Sequence, residues 1–336
     1  MKHFRIAVIG CGSISGNHIN GILAAGETVC ALCDIVPEKA RASAEKYGLG
    51  DIPVYTDYQE MLAKEKPDIV HICTPHYLHA PMCIAALSRN IHVLCEKPLS
   101  INMDQLHAVL AAEKASRAKL GVCQQNRYEP NMIRLKQLVE EKGVRTAAAE
   151  VIWERNEAYY RSGAWRGTIL EEGGGVMINQ ALHTLDILQW LCGMPTHVTS
   201  HIANDYHKGL IEVEDTAEAT FEMEDGRRYH FYATTAATAD MPVQFQLCTG
   251  DGKSVYATNS VLVYDNEVLP EDPEKRNEKM VGKMVWGTGH KTLIADFYHC
   301  IREDLPFRLN GEEASKVIRL ILSMYHSHGN RIAILK

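Results

Sequence analysis

The sequence has no basic excess. Its 35 Lys and Arg stand against 42 Asp and Glu, a formal net charge of −7, and no run of Lys or Arg concentrates the positive charge. An overall electrostatic footprint for nucleic acid is therefore excluded. No apolar stretch approaches the ~18–20 residues that a membrane-spanning helix needs. The opening MKHFRIAVIGCG has too short an apolar part for a signal peptide and runs into glycine, so it reads as a first β-strand. A cytoplasmic protein that keeps Met1 is expected. No second CxxC accompanies Cys30 and Cys33. These two lie in TVCALCD, a strand-like run in which positions i and i+3 face opposite sides, so no metal is expected there. There is also no repeat, low-complexity tract or linker.

What is present is 336 residues, 46% apolar and 23% charged, enough for two domains of ~100–200 residues each. A chain of this size buries a core without disulfides. The ten cysteines are scattered, several inside apolar runs such as IVHIC and HVLCE, as buried thiols are in a reducing compartment.

The first part of the chain alternates strand and helix patterns. Strands are expected at Phe4–Ile9, Thr28–Cys33, Val54–Tyr55, Asp68–Cys73, Ile91–Cys95 and Lys119–Cys123. Helices are expected at Ser13–Ala25, Pro37–Tyr47, from Asp57 through Lys64, Leu78–Arg89 and Asn102–Arg117. Repeated βα units imply a parallel sheet with helices on both faces. Beyond about residue 124 the pattern changes. After a helix at Asn131–Lys142, strand-like alternation dominates, with hairpin signals at Asp225-Gly226 and Asp251-Gly252. Helices interrupt it at Gly175–Leu191, His290–Arg302 and Glu312–His328, and the charged stretch Pro270–Lys283 reads as an exposed loop. The fold class is α/β: a dinucleotide-binding domain over 1–123, then an α/β domain over 124–336 whose sheet is largely antiparallel.

The first strand runs into I-G10-C-G12-S-I-S15-G16-N-H. Gly10 and Gly12 fit the dinucleotide fingerprint: one permits the tight turn, the other lets backbone approach a pyrophosphate at a helix N-terminus. Ser13 and Ile14 complete that turn. Ser15 stands where strict GxGxxG has its third glycine. An ordinary glycine-rich turn is the alternative, but the position between strand and helix favours the fingerprint. Asp34 follows the second strand, where a carboxylate accepts from adenosine ribose hydroxyls and repels a 2′-phosphate; this favours NAD over NADP. A helix-capping Asp could serve both purposes.

Strand ends in open α/β sheets face the ligand crevice. Thr74, Pro75, His76 and His79 follow the fourth strand and read as a cofactor-lining loop rather than an HxxH metal pair. Glu96-Lys97-Pro98 follows the fifth. A Lys there can polarise or deprotonate a hydroxyl, although Glu-Lys elsewhere is usually a solvated pair. Gln125-Asn126-Arg127 follows the sixth, with Asn126 on the cofactor side. In EGGGVMINQALHTLDILQW, Asn179, His183 and Asp186 would share one face of a helix at i, i+4 and i+7, with Trp190 continuing the stripe. The preceding triple glycine would let a ligand approach. Arg127, Tyr160, Arg161 and Trp165 offer aromatic faces and guanidinium donors to a sugar; a packed loop or an oligomer contact is an equal alternative for each. His290, in WGTGH, is a further candidate.

These motifs together resemble the Gfo/Idh/MocA family of NAD(P)-dependent oxidoreductases: GCGSISG, Thr74-Pro75 with His79, Glu96-Lys97-Pro98, GGGVMINQALHTLD, and Gly289-His290, Asp296-Phe297, Pro306-Phe307 and Gly311. The resemblance spans essentially the whole chain. It implies a Rossmann domain followed by a domain with a large antiparallel sheet, a homodimer or homotetramer, and a sugar, cyclitol or glycoside as substrate. It also implies that Lys97 contacts the reacting hydroxyl and that His183 is the acid/base, a role suited to an imidazole whose ordinary pKa is ~6.5. The two residues could exchange roles or form one relay. Many family members carry Asp where this chain has Asn179, and Asn cannot take a proton. Two alternatives accompany the open dehydrogenase: a glycoside-processing enzyme that holds and internally recycles NAD, and a non-catalytic NAD- or sugar-sensing regulator.

Overall fold

In the computed structural model, residues 3–270 and 289–336 are described. Most of Pro270–Lys283 lies outside them. The described residues form two compact units. One holds residues 3–125 and 289–315, the other 126–270 and 316–336.

The first unit alternates β1 (Arg5–Ile9), α1 (Ser15–Ala24), β2 (Thr28–Cys33), α2 (Pro37–Lys46), β3 (Val54–Tyr55), α3 (Tyr58–Glu65), β4 (Ile69–Ile72), α4 (His79–Leu87), β5 (His92–Cys95), α5 (Met103–Ala115) and β6 (Leu120–Val122). All six strands are parallel, in the order β3-β2-β1-β4-β5-β6. The order reverses between β1 and β4, which is where ligands bind in such sheets. The inner strands are buried along nearly their whole length, as in IVHI of β4, because helices cover both faces. Asp57 and Asn102 cap their helices by accepting the N–H of Gln59 and Gln105, so these two boundaries follow the sequence signals.

The second unit carries α6 (Pro130–Lys142), β7 (Val144–Ile152), α7 (Glu157–Tyr160), α8 (Leu182–Cys192), β8 (His197–Ala203), β9 (Thr216–Glu222), β10 (Arg228–Thr234), β11 (Gln244–Thr249), β12 (Ser254–Ala257), β13 (Leu262–Tyr264) and β14 (Glu267–Val268). The chain then supplies α9 (Gly289–Arg302), α10 (Gly311–Ser327) and β15 (Ile332–Ala333). The nine strands run β14-β13-β12-β11-β7-β10-β9-β8-β15. Among the described residues of this sheet only β7 and β10 pair in parallel, so the sheet is mixed and mostly antiparallel. Asp225-Gly226 and Asp251-Gly252 make the β9–β10 and β11–β12 hairpins. Among the described residues no helix is long and apolar enough to cross a membrane.

Two expectations change. A single cut near residue 124 misses that α9 packs on α1 and belongs to the first unit; a contact between segments so far apart in sequence leaves no local signature. The helix expected over Gly175–Leu191 begins only at Leu182. The preceding turns are irregular: the Ala181 N–H reaches the Val176 carbonyl, five residues back, at 2.8 Å, and the Glu214 carboxylate takes the Gly175 and Met177 N–H groups at 2.9 and 3.0 Å. Asn179 therefore lies in a turn, while His183 and Asp186 lie in α8.

A cavity of about 560 Å³ lined by Phe4, Leu62, Lys66, Arg89 and His92 lies by the starting ends of the parallel strands, opposite their loops. Phe297 of α9 is fully buried, edge-on to Phe307 at 5.0 Å and against Gly121 of β6. Replacing it with Ala should cost about 3–5 kcal/mol. Denaturant unfolding measures this, and amide exchange should quicken in β6; unchanged exchange there would contradict the assignment of α9 to the first unit.

Candidate active site

The glycine loop after β1 is shaped by contact with its neighbours. Gly10 has φ of +88°, and a Cβ there would lie 2.5 Å from the Cys73 carbonyl oxygen, so no side chain fits. Gly12 is exposed with open space where its Cβ would be. Ser13 is exposed and Ile14 half-buried in the same turn. No side chain caps α1; the Ser15 and Asn17 N–H groups reach the Gly12 and Ile14 carbonyls at 3.3 and 3.0 Å, and the positive end of the helix dipole lies at the glycine turn. Ser15 Oγ donates to the Gly12 carbonyl at 2.7 Å.

Asp34 sits just past β2. One oxygen accepts the Cys11 N–H at 2.8 Å and the other the Val36 N–H at 2.9 Å. The carboxylate thus holds the glycine loop against β2, and each oxygen keeps acceptor capacity for a ribose hydroxyl. Beside it Ile35 is 85% exposed, an apolar face directly next to a polar one. Gln124, at the end of β6, is buried with both side-chain polar atoms unpartnered among the described residues, as is Asn126 Oδ1. Buried amides without partners are costly and point to an absent ligand or water. An open glycine cradle, an uncapped helix start and a ribose-height carboxylate fit NAD.

The β4 and β5 ends are tied together. His79 is fully buried, its ring nitrogens 2.7 Å from the Pro98 carbonyl and 2.8 Å from the Thr74 carbonyl. Both nitrogens are thus occupied by backbone, so His79 braces the loop that was expected to line the cofactor. His76 is buried with its ring centroid 6.0 Å from that of His79, and Thr74 and Pro75 are half-buried. Lys97 is half-buried, and its backbone N–H lies 3.3 Å from Glu96 Oε2. The Lys97–Pro98 peptide is cis.

Glu96 itself is buried, 5% exposed. Its Oε1 lies 2.9 Å from His18 Nε2 and 3.2 Å from His290 Nε2. His18 Nδ1 meets His71 Nδ1 at 2.8 Å, and His71 Nε2 meets the Tyr298 hydroxyl at 2.8 Å. One assignment satisfies this chain with both imidazoles neutral: Tyr298 donates to His71, His71 to His18, and His18 to Glu96. Burial would raise the Glu96 pKa, but the hydrogen bonds from His18 and His290 outweigh it and hold the carboxyl well below the usual range. Burial pulls His18 and His71 down. His290, expected on the substrate side, meets Glu96 through Nε2, and its buried Nδ1 has no hydrogen-bond partner among the described residues. His18, Glu96 and His290 also have the side-chain types and spacing of a metal-ligand group; direct hydrogen bonds already account for their geometry. The sequence reading passed over His18 although it closes the glycine motif.

In the second unit, the Arg127 guanidinium makes a bidentate pair with Asp186 at 2.7 and 2.6 Å, both side chains buried. Trp190 lies beneath that guanidinium, 5.3 Å away. Tyr160 is buried with Ile211 and Val213, and its hydroxyl meets Thr235 Oγ1 at 3.1 Å. Arg161 is exposed and pairs with Glu157 at 2.6 Å. These three therefore have structural partners, whereas Trp165 is half-buried with the Arg166 guanidinium 4.6 Å over its ring. His183 is half-buried in the first turn of α8. The triple glycine also serves packing: a Cβ on Gly175 would overlap the Glu214 carbonyl. Asn179 shares hydrogen bonds with Glu172 and Tyr159. Glu172, read in sequence only as part of the run before the glycines, is buried, and desolvation pushes its carboxyl up to about 7.

Residues 4–124 match the description "Oxidoreductase family, NAD-binding Rossmann fold", and residues 132–256 match the GFO/IDH/MocA C-terminal domain. The chain belongs to the Gfo/Idh/MocA family of oxidoreductases. It is 28% identical to D-glucoside 3-dehydrogenase of Escherichia coli over 243 residues, 66% of this chain and 67% of that one. It is 26% identical to inositol 2-dehydrogenase of Salmonella typhimurium over 191 residues, 56% of this chain. The match spans only 54% of that relative's length. The WlbA dehydrogenase from Chromobactrium violaceum, solved with NADH and UDP-GlcNAcA, matches with a TM-score of 0.88 and 26% identity, covering 100% of this chain and 97% of that one. A levoglucosan dehydrogenase solved with NADH and levoglucosan shares the fold, with a TM-score of 0.88 at 18% identity and full coverage of both chains.

The buried imidazoles make stability pH-dependent. His18 and His71 have folded pKa values below the ordinary ~6.5, so below that pH the unfolded chain binds more protons than the folded one. Stability should therefore fall steadily as pH drops from about 6.5 toward about 5. Thermal melting across that range checks this, and a flat profile would contradict neutral buried imidazoles. Separately, Arg127→Ala should cost about 3–5 kcal/mol by stranding the Asp186 charge, measured by denaturant unfolding.

Proposed function

We propose that this protein is an NAD-dependent dehydrogenase or reductase that interconverts a hydroxyl-bearing carbon of a sugar, cyclitol or glycoside with the corresponding ketone. The observation that carries this reading is the first unit's arrangement of an open glycine turn, an uncapped α1 and Asp34 at one set of strand ends, with Lys97 directly after β5. Family membership and the redox names of the relatives support it. Residues 1–123 are proposed as the cofactor domain and 124–336 as the substrate and oligomerisation domain. The two-unit grouping adds 289–315 to the first.

Gly10, Gly12, Ser13 and Ile14 bound the turn proposed to receive the pyrophosphate, and α1 faces it with the positive end of its dipole. Asp34 accepts from the ribose hydroxyls, and its negative charge disfavours a 2′-phosphate. Asn126 and Gln124 offer amides to the cofactor, and Glu96, His79 and Pro75 hold the loop that Lys97 follows. NAD, when bound, supplies the hydride acceptor, or as NADH the donor. Lys97 polarises the substrate hydroxyl by hydrogen bonding. His183 takes its proton in oxidation and returns one in reduction. Asn179 orients a hydroxyl, and Trp165 gives an aromatic face to the sugar's C–H surface. A homodimer or homotetramer is proposed, with sedimentation as its test.

The decisive experiment follows nicotinamide absorbance with purified protein, NAD or NADP, and a panel of sugars, cyclitols and glycosides. Lys97→Ala and His183→Ala should each lower kcat/KM by about 10²–10⁴-fold with folding unchanged. Asp34→Ser should shift preference toward NADP. Nucleotide that copurifies, with turnover of a glycoside but no free NADH, would favour internal recycling. NAD binding without turnover of any class would favour a regulator.

A further inference from the structure

Three arginines lie between the end of β7 and Gly167, and two of them are neutralised. Arg155 pairs with Asp240 at 2.9 Å, and Arg161 with Glu157 at 2.6 Å. Arg166 is half-buried and has no ion pair among the described residues. The Glu172 carboxyl feels its charge only through space.

Arg166 is nonetheless held in place. Its guanidinium lies 4.4 Å over the Tyr159 ring and 4.6 Å over the Trp165 ring, and Nη1 donates to the Tyr159 hydroxyl at 2.6 Å. The backbone is tied on both sides. The Arg166 N–H reaches the Gly163 carbonyl at 3.1 Å, and the Gly167 N–H donates to Glu172. A guanidinium carries its N–H donors in one plane. The rings take its faces and Tyr159 takes one donor, so the edge formed by Nε and Nη2 keeps its donors. That edge matches two oxygens of one anionic group. Stacking has already removed side-chain freedom that a ligand would otherwise have to freeze out. The Asn179 amide lies 3.2 Å from the same Tyr159 hydroxyl, which puts Arg166 beside a residue given a substrate contact above.

We propose that Arg166 receives an anionic group of the substrate, so that the sugar or cyclitol taken by this protein carries a carboxylate or a phosphate. The inference rests on the dehydrogenase reading and on the substrate-side placing of Asn179 and Trp165 within it. A neutral sugar leaves a half-buried cation without a counter-charge, whereas an acidic one neutralises it through a charge-assisted pair. Specificity is the difference between those two cases. Carboxylate and phosphate present the same pair of oxygens. A carboxylate matches the single unpaired charge of Arg166, and a phosphate dianion brings one charge more beside Glu172, so the carboxylate is the expected form.

The test is equilibrium binding by calorimetry on the full chain, with and without NADH. It compares D-glucuronate with D-glucose, D-galacturonate with D-galactose, and D-glucose 6-phosphate and myo-inositol 1-phosphate with their neutral parents. In at least one pair the acidic member should bind about 100-fold more tightly. Arg166→Gln should abolish that ratio, and Arg166→Lys, which keeps the charge but not the fork, should retain only part of it. A preference confined to the uronates or to the phosphates supports the proposal and identifies the anion. A merely structural Arg166 would weaken acidic and neutral members alike and leave the ratio unchanged, which overturns the proposal. Equal binding within every pair, or no binding by any acidic member, overturns it as well. Nicotinamide turnover of neutral sugars alone would refute the proposal and leave the dehydrogenase reading standing. An acid preference abolished by Arg166→Gln, in a protein that turns over no member of the panel, would leave the Arg166 site standing and count against the dehydrogenase reading instead.

Discussion

A carboxylate at the buried end of β5 needs donors, and Glu96 finds them on α1 and α9. His18 and His290 both reach one of its oxygens, and neither lies near Glu96 in sequence. Leaving such a charge unpaired would cost several kcal/mol, so the chain must bring α9 back onto the first unit. That one requirement fixes α9 on α1, carries His71 and Tyr298 into the same hydrogen-bonded chain, and seats the peptide that leads to Lys97. The half-buried Lys97 thereby follows a carboxylate that is itself anchored on two sides.

The second unit follows the same rule with different partners. Glu214 is satisfied by two backbone N–H groups and Tyr325. Asp186 is satisfied by Arg127, and Glu172 by Gly167 and Asn179. Glu214 and Asp186 draw distant segments toward them, whereas Glu172 closes a local loop. The chain enters α8 late beside Glu214, where the Ala181 N–H reaches the Val176 carbonyl five residues back rather than four. Strain and pairing here shape the ground on which Asn179 and His183 stand.

Several candidate residues have structural partners that their local sequence does not show. His79, His290, Arg127 and Tyr160 are chemically able residues placed at or near motif positions, and each is occupied by a partner that sequence distance hides: backbone carbonyls, Glu96, Asp186 and Thr235. Glu172 and His18 were overlooked for the converse reason. Their chemistry depends on burial and on partners, neither of which their local sequence displays. The positions of Lys97, Asp34 and the glycines just past strands were legible because strand ends are local features.

The sequence by itself determined the alternation of strand and helix, the glycine turn, the two helix caps, the hairpins at Asp225-Gly226 and Asp251-Gly252, and the family. All of these except the family rest on the periodicity or conformational preference of neighbouring residues; the family rests on the resemblance of the motifs taken together. Only the tertiary structure decided that α9 joins the first unit, that β7 and β10 run parallel, that Asn179 lies in a turn, and that Glu96 and Glu172 are held by specific donors. Those outcomes depend on desolvating charged and polar groups far apart in the chain, and the energy of that pairing exists only once the fold brings them together.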